Sequence, residues 1–217
     1  MNAAKSVLLA LGWLACSTSA WASVIDPFIS EIHYDNAGTD HDEFVAVTGP
    51  SGFDWSGWQV VLYNGANGAE YASEPLQPAS ALSTGPWTEV VASFDGIQNG
   101  PDAIALVSPL GAVAEFLGYE GDVVAVSGPA VGQTSWLLPA SEVGVAEGLS
   151  LQRQGTLDDW LWGIDAATPG NINVGLVLPP ASTVPLPGAW MLAMSGLLVV
   201  GGMARRPSAT AQVCAVT

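Results

Sequence analysis

From residue 24 to residue 173 no stretch of useful length repeats its apolar positions with a helical period. Short apolar runs follow one another instead, each cut off by Gly, Pro, Asn or Asp. A chain written this way has no helical stripe to bury, and it predicts an all-β sandwich or barrel. The runs at 28–34, 43–48, 58–63, 89–93, 103–108, 112–119 and 149–152 are the predicted strands. The third is β-branched and aromatic and stops at Asn64-Gly65, a strong turn dipeptide. Pro109-Leu110-Gly111 joins two further runs and reads as a hairpin turn.

Trp58 and Phe116 fall on predicted strands and, with Ile104 and Leu106, form the predicted core. Trp55, Trp87, Trp136, Trp160 and Trp162 stand in turn-like or irregular contexts. Buried, they cap the open ends of the sandwich. Trp87 and Trp136 are singled out for exposure, where an indole face can stack on a sugar.

The ends of the chain are of another kind. Lys5 precedes a nearly continuous apolar stretch over 6–16, and Ala20-Trp21-Ala22 supplies the small residues, Ala20 and Ala22, of a cleavage site. A signal peptide over 1–22 is expected, with a mature chain from Ser23. A lipoprotein signal ending at Cys16 is the weaker alternative, because Trp13 and Leu14 stand where such signals carry a branched aliphatic and a small residue. A second apolar run covers 188–204. As a helix its 17 residues reach about 25 Å against a hydrocarbon core of roughly 30 Å. The run has no polar face, Trp190 lies near its outer edge, and Arg205-Arg206 follow at once, so a transmembrane helix over 188–206 is expected with the arginines cytoplasmic. Residues 174–187 are then a Pro-rich linker and 207–217 a short tail.

Charge limits the partners. All 20 acidic residues lie between Asp26 and Asp165, and Arg153 is the sole Lys or Arg from Ser23 to Pro187, so that body carries a formal −19. Direct binding of nucleic acid needs Lys and Arg to displace counterions and is excluded. Anionic lipid and acidic polysaccharide are repelled unless cations intervene. High acidity also keeps an exported domain soluble. The two cysteines, Cys16 and Cys214, fall outside the body, which must therefore hold itself together without disulfides.

Two resemblances emerge from the motifs. Val184-Pro185-Leu186-Pro187, then Trp190-Met191-Leu192, Ser195-Gly196-Leu197, Gly201-Gly202 and Arg205-Arg206 resemble the PEP-CTERM sorting signal in its Val-Pro-Leu-Pro variant. That resemblance implies an exosortase-like processing enzyme that cleaves near the proline motif, and an association with extracellular polysaccharide. Leu186 replaces the acid of the commoner form, and 11 residues follow the Arg pair. In the body, Ile29-Ser30-Glu31-Ile32-His33-Tyr34-Asp35-Asn36-Ala37-Gly38, Asp42-Glu43-Phe44-Val45, Ser56-Gly57-Trp58, Leu62-Tyr63-Asn64-Gly65 and Gly96-Ile97-Gln98-Asn99-Gly100 open a series. Asp102-Ala103-Ile104-Ala105-Leu106-Val107, Phe116-Leu117-Gly118-Tyr119-Glu120-Gly121, Ser150-Leu151-Gln152-Arg153 and Ala167-Thr168-Pro169-Gly170-Asn171-Ile172-Asn173 complete it. Together they resemble the bacterial lamin-tail domain over 28–173. The resemblance implies an immunoglobulin-like β-sandwich over 23–173, used as a binding or anchoring module. Ala46 stands where the family carries the second acid of its second strand.

Chemistry is sparse. The only histidines are His33, on a predicted strand and read as structural, and His41, in a loop. There is no Gly-x-Ser-x-Gly elbow and no cysteine nucleophile in the body. Acid pairs such as Asp158-Asp159 are the sole basis for a small acid-dependent hydrolase. The best site candidate is the loop carrying Asp35, Asn36, Asp40, Asp42 and Glu43, whose closely spaced oxygens suit calcium, although the spacing is not that of an EF-hand. The expected function is a non-enzymatic exported surface or extracellular-matrix module binding polysaccharide, a surface protein or calcium. An accessory domain for an exported nuclease or phosphatase encoded elsewhere is the alternative.

Overall fold

The structure, a computed structural model, describes residues 26–77 and 81–180. Its strands are β1 (Phe28–His33), β2 (Phe44–Pro50), β3 (Gln59–Asn64), β4 (Glu70–Pro75), β5 (Leu82–Thr84) and β6 (Trp87–Ser93), then β7 (Asp102–Val107), β8 (Val113–Tyr119), β9 (Trp136–Leu137), β10 (Leu149–Thr156), β11 (Trp160–Ala166) and β12 (Leu176–Val177). They form two sheets, and there is no helix among the described residues. The first sheet runs β11-β10-β1-β2-β6-β5, with β12 parallel to β10; the second runs β4-β3-β7-β8-β9. Pairing is antiparallel except for β12 on β10 and β9 on β8.

The sheets close on each other as a sandwich because alternate residues of the central strands are large and aliphatic. Val45 and Val47 of β2, Val90 and Ala92 of β6 and Leu151 of β10 meet Val60 and Leu62 of β3, Ile104 and Leu106 of β7 and Leu117 of β8 in one buried cluster. On β1 the inward residues are Ile29 and Ile32, three apart, and a register shift between Ile29 and Glu31 accommodates the extra residue. This bulge sends Ser30 and Glu31 to the outer face together.

Both outer faces are roofed, which is why β1 and β7 are buried along their whole length. Over the second sheet the segment 120–135 lays Val123, Ala125 and Ala130 on Val61, Tyr63, Ala103, Ala105, Val107 and Phe116. Small residues on β7 make room for that roof. Over the first sheet the segment 167–178, here called the strap, crosses β10, β1 and β6. Its backbone and side chains bond to Glu31, Glu89 and the Ser30 carbonyl. Apolar anchoring comes from Leu176, packed with Phe28 and Trp87.

Ile104 and Leu106 occupy the inter-sheet core as expected. Phe116 is buried under the apolar roof instead, and Trp58 lies half-buried at the margin of the core. Trp55 belongs to the core itself. Trp160 and Trp162, expected in irregular backbone, lie on β11 at alternate positions of an unbroken ladder with β10. Trp87 is a correction of a different sort: it is 6% exposed, and its Nε1 donates to the Pro179 carbonyl at 2.8 Å. Trp136 is exposed, as expected. The hairpin at Pro109-Leu110-Gly111 forms, with Gly111 at φ 78° and its N–H bonded to Ser108.

Among the described residues no helix is long and apolar enough to cross a membrane. The expected signal peptide with Ala20 and Ala22, the Val184-Pro185-Leu186-Pro187 motif, the 188–206 anchor and Arg205-Arg206 all lie outside the described residues.

Candidate functional site

Along one side of the sandwich the edge strands β9 and β11 leave a gap that aromatic rings fill. Trp160 meets Trp136 edge to face, centroids 5.4 Å apart at 84°. Behind Trp160 stands Arg153 of β10. Its guanidinium carbon is 4.0 Å from the Trp160 ring centroid, 4.9 Å from that of Phe28 and 5.5 Å from that of Trp162. Stacking on three rings suits a planar, weakly hydrated cation. Its Nη2 donates to Glu115 Oε1 at 2.8 Å, and Glu115 Oε2 accepts the Ile29 N–H at 2.7 Å. The ion pair thus ties β8 of one sheet to β10 and β1 of the other. Trp136 reaches this side because β9 lies tightly against β8: a Cβ on Gly118 would come within 2.5 Å of Ser135 Oγ. Trp136 is 49% exposed, more than any other aromatic side chain among the described residues.

Arg153 Nε and Trp162 Nε1 are buried without a hydrogen-bond partner, and they are the only such donors among the described residues. Both belong to residues 4% exposed. An unpaired buried N–H is costly, and for Arg153 the three surrounding rings offset part of that cost through cation–π contact.

The acidic loop is organised differently. Asp40 Oδ1 accepts the Asn36 N–H and Asp40 Oδ2 faces Asn99 Nδ2 at 3.3 Å. Asn36 Oδ1 accepts the His41 N–H, and Asn36 Nδ2 donates to His33 Nε2. Asp42 sits at φ 57° with its side chain exposed and paired to His41. Glu43 is buried, with Oε2 accepting the Ile97 N–H and Oε1 unpartnered. Burial raises the Glu43 pKa, and burial together with Asp40 raises that of Asp35. Among the described residues no group of three or more His, Cys, Asp or Glu side chains is arranged to hold a metal ion. Asp40, Asp42 and Glu43 instead border an open cleft of about 490 Å³.

His33 is structural. Its Nδ1 bonds Glu142 Oε1 at 3.1 Å, and Glu142 Oε2 accepts the N–H groups of Tyr34 and Asp35. That hydrogen bond to Glu142 raises the His33 pKa.

The strap covers two carboxylates that sequence pattern leaves on a solvent face. Glu31 accepts from Ser150, Gln152 and both the N–H and hydroxyl of Thr168. Glu89 accepts from Ser30, Thr48 and the Gly170 N–H. Both are fully buried, and neither has an ion-pair partner among the described residues. Burial raises both pKa values, that of Glu89 to about 8 with a further push from Glu31.

Sequence pattern does not bring out Arg153, Glu115 and Trp160 as a group, although the lone base of a −19 body is a visible signal. For Glu31 and Glu89 there is no such signal. Compared with protein-family models, with curated proteins and with solved structures, the chain matches none.

Proposed function

We propose that the protein is a non-enzymatic module of the cell surface or extracellular matrix that binds polysaccharide. It is exported through its N-terminal signal and sorted by an exosortase-like enzyme acting at Val184-Pro185-Leu186-Pro187 in front of the membrane helix. The observation that carries the ligand part is Trp136, an indole left exposed at the sandwich edge and backed by Trp160. An exposed, well-supported ring offers apolar area at low entropic cost, as sugar C–H faces require. The sorting part is supported by the order of proline motif, apolar run and Arg pair. The resemblance to lamin-tail domains supports an immunoglobulin-like arrangement of the two sheets and a binding or anchoring role.

Isolation of the native protein from its host tests the reading. Intact mass is expected to run from Ser23 to near Pro187, with polysaccharide co-purifying. Released material whose mass includes 188–206 contradicts the sorting, and cleavage of the bound polymer by the pure protein contradicts the non-enzymatic role.

A further inference from the structure

The sequence holds Asn-Gly three times, at Asn64-Gly65, Asn67-Gly68 and Asn99-Gly100. Close packing requires each glycine. A Cβ would come within 1.9 Å of the Pro101 carbonyl oxygen at Gly65, 2.2 Å of the Val124 carbonyl oxygen at Gly68 and 2.8 Å of Glu120 Cβ at Gly100. A following glycine leaves an asparagine amide open to attack by the next backbone nitrogen, because no Cβ shields that nitrogen. By sequence the three pairs are alike, and hydrogen bonding separates them. The Gly65 N–H donates to Asp102 Oδ1 at 2.6 Å, and the Gly68 N–H to the Asn64 carbonyl at 2.7 Å. Asn64 Oδ1 and Asn67 Oδ1 are also held, by the Ala66 and Ala69 N–H groups. The Gly100 N–H donates to no group among the described residues. Asn99 is exposed in backbone without regular structure, and its Nδ2 makes one hydrogen bond, to Asp40 Oδ2 at 3.3 Å.

We propose that Asn99 is a site of spontaneous deamidation, with the Gly100 nitrogen as nucleophile and water as co-reactant. Hydroxide removes the Gly100 N–H proton, and the nitrogen attacks Asn99 Cγ. The N–Cγ bond forms, the Cγ–Nδ2 bond breaks, and Nδ2 takes up a proton and leaves as ammonia. Water then opens the resulting succinimide at either carbonyl. Opening at Cγ leaves aspartate. Opening at the main-chain carbonyl leaves isoaspartate, whose backbone runs through the side chain and is longer by one carbon. Both products replace the Asn99 donor with a carboxylate facing Asp40, in a body already at −19. Like charges at that contact repel. The segment they loosen carries the Ile97 N–H bonded to Glu43 and the Gln98 N–H bonded to Tyr71 Oη. Deamidation is therefore a slow, one-way change that frees this segment from the acidic loop.

The test incubates the full chain in nanodiscs of zwitterionic lipid at mildly alkaline pH. Each site is followed by peptide mapping, with fragmentation that separates aspartate from isoaspartate. Asn99 should convert at least about tenfold faster than Asn64 or Asn67, the factor that one net hydrogen bond of about 1.4 kcal/mol imposes on the other two glycines. In guanidinium chloride, where no fold protects any amide, the three rates should come together. Asn64 or Asn67 converting as fast as Asn99 in the folded chain would overturn the proposal. So would a folded Asn99 that stays intact while the unfolded chain converts at all three sites. Asn99→Asp adds the charge and keeps the backbone length. It should lower the protection of the Ile97 amide against hydrogen exchange and leave that of the Ala130 amide unchanged. An Ile97 amide equally protected in that variant would overturn the loosening of the segment.

Discussion

The two sheets carry roofs built on opposite principles. Over the second sheet, Val123, Ala125 and Ala130 cover Phe116 and Tyr63 with apolar contact, and Tyr63 Oη accepts the Ala130 N–H at 2.9 Å. Over the first sheet, the strap is fastened by backbone N–H groups to two buried carboxylates, Glu31 and Glu89, with Ser30, Thr48, Ser150, Gln152 and Thr168 filling the remaining lone pairs. An apolar roof gains stability from area removed from water and is indifferent to pH. A roof fastened to unpaired buried carboxyls is held in register by hydrogen bonds; each donated bond favours the charged carboxylate, but burial outweighs them and raises both pKa values, so carrying charge in this dry site costs stability. Two solutions to the same covering problem should therefore respond differently to the same perturbations.

The largest expected effect is on the apolar roof. Phe116→Ala should cost about 3–5 kcal/mol, the usual range for truncating a buried aromatic. The loss should be nearly the same at acid and neutral pH. A loss that varied strongly with pH would mean that the two roofs are coupled.

The polar roof should show a pH dependence opposite to ordinary acid denaturation. The Glu89 pKa is raised to about 8 from 4.5, and those of Glu31 and Glu43 are raised, as is that of Asp102, to about 6. A folded-state pKa above the unfolded one contributes stability that is fully present below the unfolded value and lost as pH rises through the folded value. For Glu89 that window runs from 4.5 to about 8, and a tenfold difference in proton affinity between folded and unfolded chain is worth about 1.4 kcal/mol. His33, also raised, acts in the same direction. The melting temperature should thus fall as pH is raised across the window. Glu89→Gln keeps an acceptor for Gly170 and a polar partner for Ser30 and Thr48. It should raise the melting temperature at the alkaline end and flatten the curve. A curve unchanged by Glu89→Gln would remove Glu89 as its source.

A smaller effect is expected at the acidic loop, which resembles the strap in using carboxylates to hold N–H groups. Because Asp40 is already engaged with Asn36 and Asn99, and Glu43 with Ile97, calcium should stabilise the protein no more than sodium chloride of equal ionic strength. Asp40→Asn with Asp42→Asn should leave the response to calcium unchanged. A calcium-specific rise in melting temperature, lost in that double variant, would show that the loop reorganises around the ion.

The contrast between the roofs also marks how far the sequence can be read. β1, β2, β3, β6, β7, β8 and β10 are visible as apolar runs because their inward faces are dense in Val, Ile and Leu. β4, with Glu70, Ser73, Glu74 and Pro75, is invisible because an edge strand needs few apolar residues and is safer polar. β11 hides because Asp158-Asp159 and Gly163 punctuate its tryptophans like a loop. Glu31 and Glu89 alternate correctly for a solvent face. Only the strap, 137 residues after Glu31 and 81 after Glu89, buries them. Trp87 looks exposed for the same reason, since its partner Pro179 lies 92 residues away. Trp136 is exposed as its local context suggests, but the rings and cation behind it come from β1, β10 and β11 and cannot be assembled from local pattern.

Hydrogen exchange at single amides tests the contrast most directly, because Thr168 and Gly170 bond to the carboxylates while Ala130 bonds to a tyrosine hydroxyl under the apolar roof. After correction for intrinsic rates, protection of Thr168 and Gly170 should fall as pH rises from about 6 to about 9, while protection of Ala130 stays level. Equal behaviour of the three amides, or a strap that becomes better protected as pH rises, would contradict the account.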